Sequence, residues 1–209
     1  IVDEAAPTVL HFHGNGEVVA DYLPWFPTVL ARLGANLVLA EYRGYGGSSG
    51  APRLEEMLGD GPRIFDALGL DPSKVVVFGR SVGSIYAMHL AAARPGMAGL
   101  IIESGIADVL ERLLLRVKPA ELGVPMGRLA DEVATHLNPR IWLSRHRGPS
   151  LFLHARRDHL VSVEHADRLH AWARMPKRKV IFDDGDHNTI FSANRRGYLD
   201  AVNTFLRSL

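Results

Sequence analysis

Residues 79–83 (GRSVG) place a serine between two glycines, directly after the apolar run 75–78 and directly before a helix-like segment. Glycines two residues to either side leave room for a sharp strand-to-helix turn, which holds the serine hydroxyl out over the end of a sheet as a nucleophile. The same spacing recurs at 46–50 around Ser48, but there no strand precedes it and no helix follows. We therefore predict Ser81, not Ser48, as the nucleophile.

A serine hydroxyl is a poor nucleophile at neutral pH, so it needs a neighbouring base that is itself oriented by an acid. When the serine lies on a strand-to-helix turn, the acid and the histidine follow it in that order along the chain. Asp158 follows the strand-like run 150–155, and His187 follows the run 179–182. Because open parallel sheets build their sites at the carboxyl ends of strands, we expect both side chains near Ser81.

Other carboxylates compete with Asp158 for the role of the acid. Three of them lie in the loop of the predicted base: Asp183, Asp184 and Asp186. Asp108 follows the preceding strand, where some hydrolases place the acid. The residues alone leave these alternatives open.

Metal and dinucleotide binding are not predicted. His11 and His13 are two residues apart on a strand and so share a face, a spacing that suits a metal. The metallo-hydrolase pattern His-x-His-x-Asp-His, however, needs an acid and a histidine where the chain has Asn15 and Gly16. The dinucleotide pattern lacks its third glycine. We therefore expect no cofactor, and we expect both histidines to pack or to form hydrogen bonds with the loop after the first strand.

The elements that must position these residues alternate between strand-like and helix-like, which predicts an α/β fold with a doubly wound, mostly parallel sheet. The predicted strands are 8–13, 37–42, 74–78, 99–103, 150–155 and 179–182. The predicted helices are 22–33, 63–68, 84–93, 163–173 and 195–206. Glycine and proline at 59–62 predict a break or a kink in the helix before the nucleophile strand.

A single catalytic domain is predicted over 1–209, with one departure from the alternation at 106–148. That segment is helix-rich, at 110–117 and 129–136, and is interrupted by Pro119, Pro125 and Pro139. An insertion between two strands near the nucleophile predicts a small helical lid. A pair of ordinary packing helices is the alternative.

Composition excludes several classes of protein. With 24 basic and 23 acidic residues, the chain has no charge excess that would favour nucleic acid or an anionic membrane as its partner. Cysteine is absent, which rules out disulfides, zinc–thiolate sites and a cysteine nucleophile. No apolar run is long enough to span a membrane. The sequence begins with Ile1 rather than Met, so an upstream anchor or leader stays compatible with it, and the compartment is left open.

Five blocks carry a family resemblance, and they run in order at 11–16 (HFHGNG), 41–46 (EYRGYG), 78–83 (FGRSVG), 153–158 (LHARRD) and 185–188 (GDHN). Through them the chain resembles the Bem46-like group of α/β-hydrolases, which includes acyl-protein thioesterases. The two antiparallel strands that usually precede the first of these blocks are missing. Ala155 stands where the family often has glycine.

The resemblance implies a role for each site residue. Ser81 is expected to be the nucleophile, His187 the general base and Asp158 the orienting acid. The oxyanion hole is expected to consist of the backbone N–H groups of Val82 and Asn15, with Gly16 as a substitute for Asn15.

The residues and the resemblance together predict a serine hydrolase that cleaves carboxylic esters or thioesters through an acyl-serine intermediate, without a cofactor. The expected partner is a small-molecule or acyl-group ester. Amidase or acyltransferase activity, or a non-catalytic role in binding a ligand or a partner, stays open as an alternative.

The expected pocket is hydrophobic, suited to an apolar acyl or alcohol group, because apolar side chains flank the motif loops. Its predicted walls, besides 106–148, are Tyr22, Trp25, Tyr45, Leu160, Ile190 and Phe191. Four arginines are candidates to meet an anionic substrate, although basic surface residues usually have no such role. They are Arg145, Arg147, Arg156 and Arg157.

Overall fold

The computed structural model describes residues 3–209 apart from the side chains of Pro119 and Leu122. Most strands of its one sheet are short runs rich in Val, Ile and Leu, whereas the last strand, at one edge of the sheet, begins with three basic residues. The strands are β1 (Thr8–Phe12), β2 (Asn36–Ala40), β3 (Val75–Arg80), β4 (Gly99–Glu103), β5 (Ser150–Ala155) and β6 (Lys177–Phe182). Their order is β2-β1-β3-β4-β5-β6. Every pairing between these strands is parallel. The predicted parallel α/β sheet is confirmed.

Helices connect the strands, as parallel pairing requires. They are α1 (Val19–Tyr22), α2 (Phe26–Arg32), α3 (Leu54–Leu68), α4 (Gly83–Ala93), α5 (Val109–Leu114), α6 (Met126–His136), α7 (Pro139–Arg145), α8 (Val163–Trp172), α9 (Ile190–Ala193) and α10 (Arg195–Leu206). Short 3₁₀ turns lie at Pro72–Lys74 and Pro119–Leu122.

Alternate residues along each strand point to opposite faces of the sheet, so each face has its own hydrophobic core. Along β3, Val75 and Val77 pack against α3 and α4, and Val76 and Phe78 face the opposite way, toward α2 and α10. Both layers are buried, which explains why the strands lack an apolar–polar alternation.

Two helix predictions were wrong. The helix before β3 does not break at 59–62 but runs unbroken from Leu54 to Leu68. Its buried residues recur on one face and include Gly61 and Pro62, so packing of that face against α4 outweighs the local cost of proline. The helix predicted at 22–33 is instead divided into α1 and α2.

The segment 106–148 contains α5, the second 3₁₀ turn, α6 and α7. The last of these was not predicted, and it packs against α4 with Trp142 and Leu143 buried in the core. Part of the segment is therefore an ordinary packing helix. A lid role for the remainder stays a prediction.

None of the helices in residues 3–209 has the length and apolar character needed to cross a bilayer.

Candidate active site

Ser81 occupies the junction between β3 and α4 in a left-handed backbone conformation, with φ of 53°. A non-glycine residue at positive φ is strained, and such strain concentrates at functional turns. The turn is anchored on both sides. The Ser81 N–H donates to the carbonyl of Glu103 at 2.9 Å, and the Ser81 carbonyl accepts from the Ser84 N–H at 3.0 Å and from its hydroxyl at 2.6 Å.

The two flanking glycines are required by close approach of the backbone. A Cβ at Gly79 would lie 2.6 Å from Ala87 Cβ, and one at Gly83 would lie 2.6 Å from the His13 carbonyl oxygen and closer still to that of Phe12. These separations are shorter than any real contact, so α4 can begin directly beneath β1 only because both side chains are absent.

His187 and Asp158 complete a chain of hydrogen bonds from Ser81. Ser81 Oγ lies 2.9 Å from His187 Nε2, and His187 Nδ1 lies 2.7 Å from Asp158 Oδ2. A carboxylate only accepts, so Nδ1 carries the proton and Nε2 is free to accept the serine proton. The sequence-predicted trio is thus brought together across 106 residues of chain.

Asp158 is held in its ionised form. Burial alone would raise the pKa of its carboxyl group, but the hydrogen bond from His187 and the backbone N–H of Val161 outweigh burial and keep the pKa below its ordinary value. The second oxygen, Oδ1, accepts from the N–H groups of Leu160 and Val161 at 2.9 and 2.8 Å. Both oxygens are therefore fixed.

Three of the four competing carboxylates have other partners, and the fourth, Asp184, is exposed. Asp183 pairs with Arg156, and Asp186 accepts from two N–H groups and the hydroxyl within its own loop. Asp108 caps the start of α5 by accepting from the Glu111 N–H at 2.9 Å. Asp158 is the acid that the structure brings to the histidine.

The loop after β1 carries the predicted oxyanion residue Asn15, which lines the same cavity as Val82 and Ser81. Gly16 follows at φ of 78°. Glu41, at the end of β2, holds this loop: it accepts from His13 Nε2 at 2.8 Å and from the Val19 N–H at 2.9 Å. Asn15 and Val82 thus line one cavity with Ser81, and the role of their N–H groups as oxyanion donors stays a prediction.

A cavity of about 360 Å³ opens in front of Ser81. Its inner wall is apolar and comes from Ile85, Ile106, Val109 and Val161, all of them buried. The exposed Leu160 and the half-buried Leu113 of α5 also line it.

Of the six predicted pocket residues, Leu160 alone lines this cavity; a role of the other five in substrate binding stays a prediction. Four of them surround a separate cavity of about 240 Å³ on the α2/α10 face of the sheet: Tyr22, Trp25, Ile190 and Phe191. The chain turns to that face soon after each motif loop. Tyr45 instead donates its hydroxyl hydrogen bond to Asn15 Oδ1 at 2.8 Å, so it supports the loop and does not line the pocket.

Three arginines line the cavity in front of Ser81: Arg80, Arg112 and Arg116. Sequence reasoning missed them and named four others, none of which lines it. Arg80 was visible inside the GRSVG motif. Arg112 and Arg116 are four residues apart, a spacing that puts both on one side of a helical segment.

His11 and His13 do not converge. His11 is fully buried among the rings of Tyr22, Phe26 and Phe78 at 4.7–5.0 Å, and burial drives its pKa well below the ordinary value. His13 bonds to Glu41 and to its neighbour's carbonyl. No group of three or more metal-binding side chains occurs within residues 3–209. The second glycine–serine match, around Ser48, lies in an exposed turn.

Comparisons with known proteins agree with this architecture. The family model described as serine aminopeptidase, S33, matches residues 3–147. The protein YfhR of Salmonella typhimurium is 30% identical over 99% of this chain, which spans 73% of that relative's length. The protein bem46 of Schizosaccharomyces pombe is 26% identical over 97% of the chain and 68% of its own.

Solved structures share the fold. An esterase from Pyrococcus furiosus superposes with a TM-score of 0.77 over 99% of this chain and 83% of its own, at 18% identity. An esterase from Exiguobacterium antarcticum gives 0.72 over 97% and 92%, at 17% identity. At these identities the likeness concerns the fold. The chain therefore belongs to the α/β-hydrolase superfamily, in the family described as serine aminopeptidase, S33, and is Bem46-like.

Proposed function

We propose that this hydrolase-family protein cleaves carboxylic ester or thioester bonds through an acyl-serine intermediate, with Ser81, His187 and Asp158 as its catalytic triad. The observation that carries the proposal is the continuous hydrogen-bonded chain from Ser81 Oγ through both ring nitrogens of His187 to Asp158, at 2.9 and 2.7 Å, beside an open cavity. Activation of a serine hydroxyl requires this order of groups.

In the first half-reaction, Ser81 Oγ attacks the carbonyl carbon and its proton passes to His187 Nε2. The resulting imidazolium is stabilised by the Asp158 carboxylate, and the negative oxygen is met by the N–H groups of Val82 and Asn15. Collapse breaks the bond to the alcohol or thiol, which leaves with the proton from Nε2.

In the second half-reaction, water attacks the acyl-serine carbonyl and gives its proton to His187 Nε2. The Ser81 ester bond then breaks, the carboxylic acid leaves, and Nε2 returns the proton to Ser81 Oγ. The balance is one ester and one water converted to one acid and one alcohol, so no cofactor enters.

The family description names an aminopeptidase, and the lining of the cavity argues for an ester over a peptide with a free amino terminus. A free α-ammonium group needs a carboxylate or several carbonyls to bind it. The cavity contributes three arginines and no Asp or Glu from the described residues. Two solved structures with this fold are named as esterases.

A fluorophosphonate probe tests the proposal, because it reacts covalently with an activated serine. We expect the wild-type protein to be labelled and Ser81→Ala to lose all labelling. Ser48→Ala, at the second glycine–serine match, is the matched control and should label normally. Equal labelling of Ser81→Ala and wild type would refute the assignment of the nucleophile.

A further inference from the structure

The acidic and basic side chains that line the cavity in front of Ser81 are unevenly balanced toward positive charge. Of the residues that line it, three are arginines and none is a carboxylate within the described part of the chain. The protein as a whole is nearly neutral, with a formal net charge of +1, so the excess of positive charge is local to this site.

Arg80 does not account for this excess, because it is already neutralised. It pairs with Glu17, and its Nε lies 3.0 Å from Glu103 Oε1. It stands at the inner edge of the cavity with its guanidinium group largely buried.

Arg112 and Arg116 are different, since neither forms an ion pair with any carboxylate among residues 3–209. The nearest acid in sequence, Glu111, is engaged elsewhere: its Oε2 accepts from Arg168 at 3.1 Å and its Oε1 lies 3.2 Å from His165. Two cations therefore line the cavity in front of Ser81 without a counter-ion from the part of the chain that the structure describes.

Arg112 and Arg116 also lie closer to solvent than the apolar wall of the cavity. Arg112 is half-buried and Arg116 exposed, whereas Ile106 and Val109 on the same stretch of chain are buried deeper in the cavity. A molecule seated here meets hydrocarbon inside and positive charge at the rim. Guanidinium groups bind carboxylate and phosphate oxygens through charge-assisted hydrogen bonds.

We propose that the substrate is an amphipathic ester or thioester with an anionic group, and that Arg112 and Arg116 bind that group while an apolar portion lies against Ile106 and Val109. The anionic group is a carboxylate or a phosphate, both of which match a guanidinium fork. This inference rests on the proposed ester-cleaving function and narrows its substrate class.

Two matched substrate pairs test the proposal and separate its two anions. The carboxylate arm compares the 4-nitrophenyl monoester of adipic acid with the same compound methylated at its free carboxylate. The phosphate arm compares 1-butyrylglycerol 3-phosphate with 1-butyrylglycerol, and the release of butyrate measures the turnover of both. We expect kcat/KM to favour the anionic member of at least one pair by about ten-fold at low ionic strength. Added salt should reduce that preference.

The double variant Arg112→Gln, Arg116→Gln assigns the preference to these side chains. We expect the anionic-to-neutral ratio of kcat/KM to fall toward one in this variant. Arg147→Gln removes an exposed arginine that does not line the cavity, and it should keep the wild-type ratio. Thermal unfolding of each variant shows that it is folded.

Equal turnover of charged and neutral esters by the wild-type protein would overturn the proposal, as would a preference that survives in the double variant. Either result leaves the proposed function intact if fluorophosphonate still labels Ser81. Absence of both turnover and labelling refutes the proposed function, and the substrate class falls with it.

Discussion

Arg80, one residue before Ser81, joins the nucleophile strand to the loop of the histidine. Its Nη2 donates to the His187 carbonyl at 2.9 Å and to Asn188 Oδ1 at 3.3 Å. Burial alone would lower its pKa, but Glu103 and Glu17 outweigh burial and raise it, so the side chain stays charged. We therefore expect the guanidinium group to act as a positioning group that keeps His187 at hydrogen-bond distance from Ser81.

Replacement of Arg80 by Gln should affect both stability and activity. It leaves Glu103 buried without its cation, which typically destabilises a protein by about 3–5 kcal/mol. The His187 loop also loses its anchor, so His187 is less well placed against Ser81, and we expect kcat to fall on the order of ten-fold. Urea unfolding and ester turnover measure the two effects. Arg94→Gln is the control: it breaks the half-exposed pair with Asp66, whose loss should be at most about 1 kcal/mol. Equal stability of the two variants would contradict this role of Arg80.

Asp158→Asn should keep the fold and lose activity. The remaining oxygen of the amide can still accept from Leu160 and Val161, but its NH₂ group cannot accept from His187 Nδ1, so the imidazole loses its productive tautomer. We expect kcat to fall by about three to four orders of magnitude, as in comparable triads. Turnover of an activated ester measures it, with Asp183→Asn as a surface control. Near-normal turnover would exclude Asp158 as the orienting acid.

The order of strands predicted that Ser81, His187 and a carboxylate would meet at one edge of the sheet, and the family resemblance selected Asp158 among the candidate acids. The sequence did not predict Arg112 or Arg116. Their relevance depends on which side of α5, which carries Arg112, and of the turn after it, which carries Arg116, meets the cavity. That is decided by the packing of distant elements. Four of the predicted pocket residues line a different cavity for the same reason: proximity to a motif loop in sequence does not specify a face of the sheet.

At the scale of elements, the start of α4 depends on its first glycine. Gly83→Ala would drive a methyl group into the carbonyl oxygens of Phe12 and His13, which are backbone atoms of a buried strand end and cannot move aside. We expect a loss of about 3 kcal/mol or more in the free energy of unfolding, measured in urea. A loss under 1 kcal/mol would show that α4 can shift away from β1, contrary to this packing.

Gly59 is the opposite case to Gly83, because a side chain added there would collide with nothing. It lies in the interior of α3, and a Cβ there would have no atom within 4 Å. Glycine in a helix interior is less favourable than alanine by about 0.5–1 kcal/mol. Gly59→Ala should therefore stabilise the protein by that amount in the same urea experiment, and destabilisation would be the contrary result.

The strands and helix α3 show what can and cannot be predicted from local sequence. The strands were predicted to within three residues at each end, since buried parallel strands have a clear composition. α3 was misread because glycine and proline disfavour a helix locally. In the folded chain, Gly61 is buried beside Phe12 and Leu90, where an added Cβ would make only ordinary contacts at 3.6–3.8 Å, so burial of this helix face, not a need for glycine, explains the unbroken α3.

At the scale of the whole molecule, buried histidines make stability depend on pH. Burial is the main cause of a lowered pKa in six histidines: His11, His89, His146, His154, His165 and His170. In the unfolded chain a histidine titrates near pH 6.5. Below that pH the unfolded chain binds protons that the folded protein does not, so the free energy of unfolding falls as pH falls.

We expect the protein to be clearly less stable at pH 5 than at pH 7.5, with a ceiling of about 2 kcal/mol for each histidine. His11→Phe should reduce the difference, because its ring lies among three aromatic rings and its Nδ1 has no hydrogen-bond partner among the described residues. His159→Gln, an exposed site, should not change it. Urea unfolding at both pH values measures the effect, and a pH-independent stability would contradict it.

The strand order also has a consequence for synthesis of the chain. β6 is the last strand, it pairs at the edge of the sheet with β5, and the loop after it carries His187. If Ser81 and His187 act as proposed, a chain in which only β1 to β5 have formed has Ser81 without its base. We then expect labelling of Ser81 by an active-site probe to begin only after β6 has docked, so the probe would report when this edge of the sheet forms.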